Sequence, residues 1–141
     1  MSIRAVLLPL LVEVALTFVL IFWTARVRTA ALRSGKAKMK EIALGQPNWP
    51  QRAIQIGNSY NSQFQVPVLF YVLTVLAIVT RHADLLFVVM AWLFVTTRLV
   101  HAYIHTSTNY VPNRFYAFAS GAIVLLLMWI VFGVRILAGL P

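Results

Sequence analysis

The stretch VLLPLLVEVALTFVLIFW, residues 6–23, decides the class of this protein. Glu13 is the single charged residue in this run. Its length is close to the ~20 apolar residues that a helix needs to cross a hydrocarbon core. A secretory signal has a shorter apolar run preceded by basic residues, whereas here the basic cluster follows the run. We therefore interpret it as a permanent transmembrane helix.

The composition of the whole chain agrees with this interpretation. The 141 residues are 61% hydrophobic and 11% charged, whereas a soluble domain is about half apolar and a quarter charged. The net charge of +9 would suggest nucleic acid in a soluble protein. Because the cations lie beside apolar runs, we expect contact with lipid headgroups or an anionic ligand, and no nucleic acid. The absence of cysteine excludes disulfides and Cys-based metal sites.

Three further apolar runs predict an all-α membrane protein, a single domain over residues 1–141 built as a bundle of four transmembrane helices. Proline at residues 47, 50 and 112 marks helix starts, because proline is favoured in the first turn and disfavoured inside a helix. The predicted helices cover about residues 4–27, 50–80, 85–106 and 112–138, and a basic loop covers residues 28–49.

The charge of the first connection predicts the orientation. Glu41 is the one acidic residue in this connection. Its cations, counted from the end of the first helix, are Arg26, Arg28, Arg33, Lys36, Lys38 and Lys40. Short loops rich in Lys and Arg stay on the cytoplasmic side. We therefore expect this loop and the connection between the third and fourth helices to be cytoplasmic. Compact size and tight loops favour a bacterial inner membrane over the endoplasmic reticulum.

Polar side chains inside a membrane are costly, so their positions are informative. The second predicted helix carries a stripe of polar residues spaced 4-3-4-3, which places them on one face. These are Gln51, Gln55, Asn58, Ser62 and Gln65, with Asn61 close beside them. A second stripe on the third helix consists of Arg98, His101 and His105. The fourth helix begins with Asn113, Arg114 and Tyr116.

The topology brings these polar segments together. The start of the second helix, the end of the third and the start of the fourth lie at the same leaflet. They would form a cavity suited to an anionic, carboxylate-bearing molecule, because arginine pairs with carboxylates in a bidentate manner. A single subunit can hardly shield three polar stripes from lipid, so we expect an oligomer.

Each polar group also has a structural interpretation. In this interpretation the amides and Ser62 form hydrogen bonds with neighbouring helices. Arg98 would then snorkel or pair structurally, and Arg114 would be an ordinary interfacial cation. His101 and His105 have the spacing of a metal-binding pair, but no acidic or Cys ligand lies nearby, so we predict no metal site.

Glu13 lies deep in the first predicted helix and needs a partner. Arg98 and Arg135 are the two candidates. An unpaired carboxylate inside a membrane is unfavourable, so we expect a structural pair rather than a catalytic acid.

Three stretches together resemble the MAPEG superfamily, the membrane-associated proteins in eicosanoid and glutathione metabolism. They are NSYNSQFQVPVLFY (58–71), RLVHAYIHT (98–106) and VPNRFYAF (111–118). The resemblance implies four transmembrane helices per subunit, a homotrimer, and a glutathione site between subunits near the cytoplasmic face. The function it implies is a glutathione-dependent transferase or peroxidase acting on a lipophilic small molecule, an electrophile that enters from the bilayer.

The resemblance also assigns residues. Arg98 and His101 match the family's Arg-x-x-His, and Pro112 and Arg114 match its Pro-x-Arg, where the arginine is the candidate catalytic residue because it helps to bind the tripeptide and its thiolate. The residues expected to bind glutathione are Asn58, Asn61, Ser62, Gln65, Arg98, His101, His105, Arg114 and Tyr116.

Two positions depart from the family pattern. Gln65 stands where the family has a glutamate before Pro67, and Phe118 stands where many active members have a tyrosine near the thiolate. The alternative is therefore a non-catalytic membrane protein of the same fold that binds an amphipathic anionic ligand or acts structurally.

Overall fold

A computed structural model describes all 141 residues, which form six α-helices and no strand. Four long helical segments account for the four predicted spans, and α2 is a single turn in the basic loop. The helices are α1 (Ile3–Arg33), α2 (Met39–Ile42), α3 (Gln51–Ser62), α4 (Val66–Val79), α5 (Leu85–Thr106) and α6 (Val111–Leu137).

The four spans form a membrane bundle, as the sequence predicts. The helix α1, the joined pair α3–α4, α5 and α6 are each long and apolar enough to cross a bilayer. Helix α5 packs against α6 and α1, and α1 also packs against α3. The core contains Phe70, Leu73, Ala91, Phe94 and Leu125. Large apolar side chains also remain exposed on every span, as expected of helices that face lipid.

The span predicted over residues 50–80 is present, but a short turn divides it into two helices. Helix α3 ends at Ser62, and α4 begins at Val66 after a short turn. Pro67 explains the break, because it has no N–H to donate into a preceding turn and it disfavours helical backbone at the residue before it. The turn exposes Gln65 and buries Gln63.

The first helix is longer than predicted and continues to Arg33 instead of ending at residue 27. The additional turn consists mostly of alanine, leucine and arginine, which are strong helix formers. One side of this turn also packs, since Ala31 is buried. Part of the predicted basic loop is therefore helical.

Gly121 on α6 allows close approach of α5. A Cβ atom at this position would lie 2.6 Å from Thr97 Oγ1, whereas at Gly133 on the same helix it would meet nothing within 4 Å. The Thr97 hydroxyl donates to the Phe94 carbonyl at 2.6 Å, so moving it would weaken that bond.

Gly121→Ala is therefore expected to lower the free energy of unfolding by about 1–2 kcal/mol through overpacking. Gly133→Ala is the matched control, and we expect it to be neutral or to stabilise by up to about 1 kcal/mol through helix propensity. Thermal unfolding in detergent measures both. Equal midpoints for the two variants would contradict the close α5–α6 contact.

Asp84 ties the start of α5 to α6 at the end of the bundle away from the basic loop. Its Oδ1 atom accepts from the Phe87 backbone N–H at 3.0 Å, and its Oδ2 atom accepts from Arg135 Nη1 at 2.7 Å. Partial burial raises the pKa of Asp84, but these two donors outweigh burial and hold the pKa below its ordinary value of 3.8. The carboxylate is thus favoured in the folded state.

Asp84→Asn keeps an N-cap acceptor and removes the charge. Because the folded pKa is the lower one, the charge contributes fully above about pH 4, and its contribution is lost as the pH falls through the folded pKa. We expect the wild type to be more stable than the variant by about 0.5 kcal/mol near pH 7, since the pair is partly exposed. Thermal midpoints should converge as the pH falls below about 4 and through the folded pKa. A gap that stays constant with pH would exclude the ionised pair as its cause.

Candidate ligand-binding site

A groove lies where α3 ends, α5 ends and α6 begins. Its volume is about 480 Å³, which is within the range of about 300–1,000 Å³ that is usual for small-molecule sites. Most of its lining side chains are polar. The lining residues are Asn58, Asn61, Ser62, Gln65, His101, His105, Val111, Arg114, Phe115 and Phe118.

The walls of this groove are held together by hydrogen bonds from α3 to the end of α5. Gln55 Nε2 donates to the carbonyls of His105 at 2.9 Å and Ser107 at 3.0 Å. Arg52 Nη1 donates to the Thr106 carbonyl at 2.5 Å. These bonds satisfy carbonyls that the end of a helix leaves without partners. Gln55 therefore forms hydrogen bonds to a neighbouring helix, which is the structural interpretation that the sequence allowed for the amides of the polar stripe.

Arg114 supplies the positive charge of the groove. It is half-buried in the first turn of α6, and its Nη1 atom donates to Asn109 Oδ1 at 2.7 Å. Asn109 lies in the α5–α6 connection with a φ of 52°, a left-handed conformation that asparagine tolerates better than most residues. Because this partner is neutral, it does not balance the charge of the guanidinium. No lining residue is acidic.

Two buried histidines face the groove without partners in the protein. Their ring centroids are 5.3 Å apart, and the His101 ring also lies 6.0 Å from that of Phe118. The Nδ1 atoms of His101 and His105 are buried and make no hydrogen bond. Buried polar atoms are nearly always paired in folded proteins, so these two Nδ1 atoms are exceptions. Because both rings line the groove, the imidazoles are candidate contacts for a ligand. No cluster of three or more metal-ligating side chains is present.

Arg98 lies behind the wall of the groove and does not line it. Its Nη2 atom donates to Ser62 Oγ at 2.7 Å and to the Ser62 carbonyl at 3.2 Å. Its Nε atom lies 4.0 Å from Glu13 Oε1, and both side chains are almost completely buried. The Arg98 charge is therefore balanced from α1, and its bonds fix the position of Ser62 at the end of α3.

Gln63 completes this buried cluster. Its amide orientation is assigned from its neighbours: the nitrogen donates to Glu13 Oε1 at 2.6 Å, and the oxygen accepts from Arg98 Nη2 at 3.2 Å. Of the two predicted partners of Glu13, Arg98 is the one observed, since Arg135 pairs with Asp84. The cluster joins α1, the α3–α4 turn and α5.

Comparison with protein-family models identifies the family of this chain. The model of the MAPEG family matches residues 6–134. The chain belongs to the MAPEG family. No curated protein and no solved structure matches it. MAPEG proteins are four-helix membrane bundles, which agrees with the four spans and with the resemblance seen in the sequence.

Within this MAPEG subunit, most of the predicted site residues converge. The groove brings together Asn58, Asn61, Ser62, Gln65, His101, His105 and Arg114. Arg98 does not line the groove of the isolated subunit, because Glu13 and Ser62 hold its guanidinium inside the bundle. Its contact with glutathione stays a prediction.

Tyr116 is the second exception among the predicted residues. It is 67% exposed and lies outside the groove. Two residues along a helix correspond to a rotation of about 200°, so Tyr116 points away from the face that carries Arg114. The same periodicity could have found Val111 and Phe115, two apolar lining residues that the sequence analysis did not assign, since they share one face of α6 with Arg114 and Phe118.

Proposed function

We propose that the groove binds glutathione and that the protein is a glutathione-dependent transferase or peroxidase acting on lipophilic electrophiles. The observation that carries the proposal is an uncompensated Arg114 beside two unpaired imidazoles, in a polar groove of about 480 Å³. A tripeptide with two carboxylates offers acceptors for such donors, and membership of the MAPEG family supports the same ligand.

The lining residues suit the parts of such a tripeptide. The Arg114 guanidinium can hold a carboxylate or the thiolate sulfur. The amides of Asn58, Asn61 and Gln65 offer donors and acceptors for peptide groups. The exposure of these three side chains leaves their polar atoms open to the groove.

The chemistry requires a thiolate, which the bound tripeptide would supply as the nucleophile. A nearby cation favours the thiolate over the thiol, and Arg114 is the one permanent cation that lines the groove. Phe118 has no hydrogen bond to offer and contributes an apolar wall against His101. We therefore assign stabilisation of the thiolate to Arg114.

A second groove supports a lipophilic co-substrate. It has a volume of about 430 Å³ and is entirely apolar. Val66 follows Gln65 in the chain, and Ala122 lies one turn after Phe118 on α6, so the lining of the apolar groove begins next to that of the polar one. An electrophile dissolved in the bilayer would reach the thiolate from this side.

The proposal includes a homotrimer in a bacterial inner membrane with the basic loop in the cytoplasm. Exposed Asn58, Asn61 and Gln65 on the side of a membrane bundle favour burial against a neighbouring subunit. The positive-inside rule favours the orientation. Chemical cross-linking and native mass spectrometry test the trimer.

Thiolate formation tests the enzyme. Glutathione is added to the purified protein in detergent, and the expected result is ultraviolet thiolate absorbance at a pH where free glutathione remains a thiol. Conjugation of a panel of lipophilic electrophiles should accompany it. If neither signal appears, the protein is not a glutathione-dependent enzyme.

A non-catalytic role is the second candidate, and Phe118 is the observation that favours it. An apolar ring takes the place of a hydrogen-bond donor beside His101. In that case glutathione would raise the thermal midpoint without thiolate formation or turnover. Conjugation of any electrophile at a rate above the uncatalysed reaction would eliminate this candidate.

A further inference from the structure

The positions of the acidic side chains limit what the groove can recognise. The 141 residues include three of them. Glu13 is fully buried and contacts Gln63 and Arg98. Asp84 pairs with Arg135 at the start of α5, whereas the groove lies at the other end of this 22-residue helix, a separation of about 30 Å.

Glu41 is the remaining acid, and it follows Lys40 in the short helix α2 of the basic loop. It does not line the groove. A second copy of this chain brings the same three acids, of which only Glu41 is not already paired. Neighbouring Lys38 and Lys40 make its surroundings basic. The groove of one subunit is therefore cationic, and Glu41 is the one unpaired acid that a second copy could bring near it.

This charge pattern matters for glutathione, which carries one ammonium and two carboxylates. Arg114 attracts the carboxylates and repels the ammonium. Gln65 can accept a hydrogen bond from the ammonium but cannot balance its charge, and charge-assisted hydrogen bonds are roughly twice as strong as neutral ones. The ammonium thus weakens binding or contributes nothing to it.

We propose that this site prefers anionic thiol peptides without a free α-ammonium group, and that Gln65 determines this preference. The proposal rests on the proposed function, because it names the ligand class of the same groove. The probe is glutaryl-cysteinyl-glycine, which differs from glutathione only by a hydrogen in place of the α-amine. Both carboxylates and the thiol are kept.

The experiment measures the dissociation constants of both peptides with the full-length protein in nanodiscs at pH 7. In the wild type we expect the desamino peptide to bind about fivefold more tightly than glutathione, the size of a charge repulsion across about 4 Å of water. Gln65→Glu should shift the ratio of the two constants by about tenfold toward glutathione. Gln51→Glu is the matched control, since it adds the same charge on α3 outside the groove. It should leave the ratio unchanged.

The possible outcomes separate this inference from the proposed function. Glutathione binding as tightly as the desamino peptide, or more tightly, would overturn the inference and leave the proposed function intact. An unchanged ratio in Gln65→Glu would overturn the role of Gln65. Binding of the desamino peptide alone would support the inference and refute glutathione as the ligand. If neither peptide binds, both proposals fail.

Discussion

Replacing Arg98 by methionine is expected to lower the free energy of unfolding by about 3–5 kcal/mol, because it leaves a buried carboxylate without its cation. Glu13 is fully buried in the bundle, and Gln63 would lose the donor to its oxygen. Thermal or denaturant unfolding of the purified protein in detergent measures the loss. Among the substitutions considered for this subunit, we expect this one to have the largest effect on stability.

The double variant Glu13→Gln/Arg98→Met tests whether the two buried charges interact. It removes both charges together, and such replacements often restore much of the stability that a single removal loses. We therefore expect the double variant to be more stable than Arg98→Met alone. A double variant as unstable as the sum of the two single variants would mean that the two charges do not interact.

Replacing Arg114 by methionine is expected to weaken glutathione binding by about 10- to 100-fold, which corresponds to the loss of one charged hydrogen-bonding contact. Thiolate absorbance should disappear even at saturating glutathione, because no other permanent cation lines the groove. Stability should change little, since the one protein partner of Arg114 is the loop residue Asn109. Binding assays, ultraviolet titration and thermal unfolding check these three expectations.

Two further variants make this result specific. Arg114→Lys keeps the positive charge but loses the planar guanidinium that can contact a carboxylate with two hydrogen bonds. We therefore expect intermediate affinity with a residual thiolate signal. Arg4→Met removes a cation from the exposed N-terminal end of α1 and should have no effect. Full thiolate formation in Arg114→Met would exclude Arg114 as the stabilising group.

The sequence predicted the four spans and the convergence of their polar ends because both follow from the cost of polar groups in lipid. A stripe such as Arg98, His101 and His105 has one favourable direction in a membrane, toward other polar groups. The helix order then fixes which ends share a leaflet. The seven groove residues that were foreseen all follow from these two constraints.

The positions of three residues depend on distances between helices or on helical rotation, which the polar stripes alone do not predict. Arg98 belongs to the predicted stripe, yet the Glu13 carboxylate on α1 and the Ser62 hydroxyl hold its guanidinium behind the wall. Gln63 lies outside the polar stripe of the second span, and only the break before Pro67 explains its burial. Tyr116 was assigned by its closeness in sequence to Arg114, although helical rotation separates the two side chains.

The buried contact between α1 and α5 has a consequence for biogenesis. A lone ionised residue near the middle of a bilayer costs about 2.5–3.5 kcal/mol on insertion scales. Glu13 enters the membrane with the first span, and its cationic counterpart arrives only with the third. The Glu13 carboxylate therefore has no cationic partner until α5 has been inserted. We expect the ligand pocket to mature late, after the nascent chain has delivered its third helix.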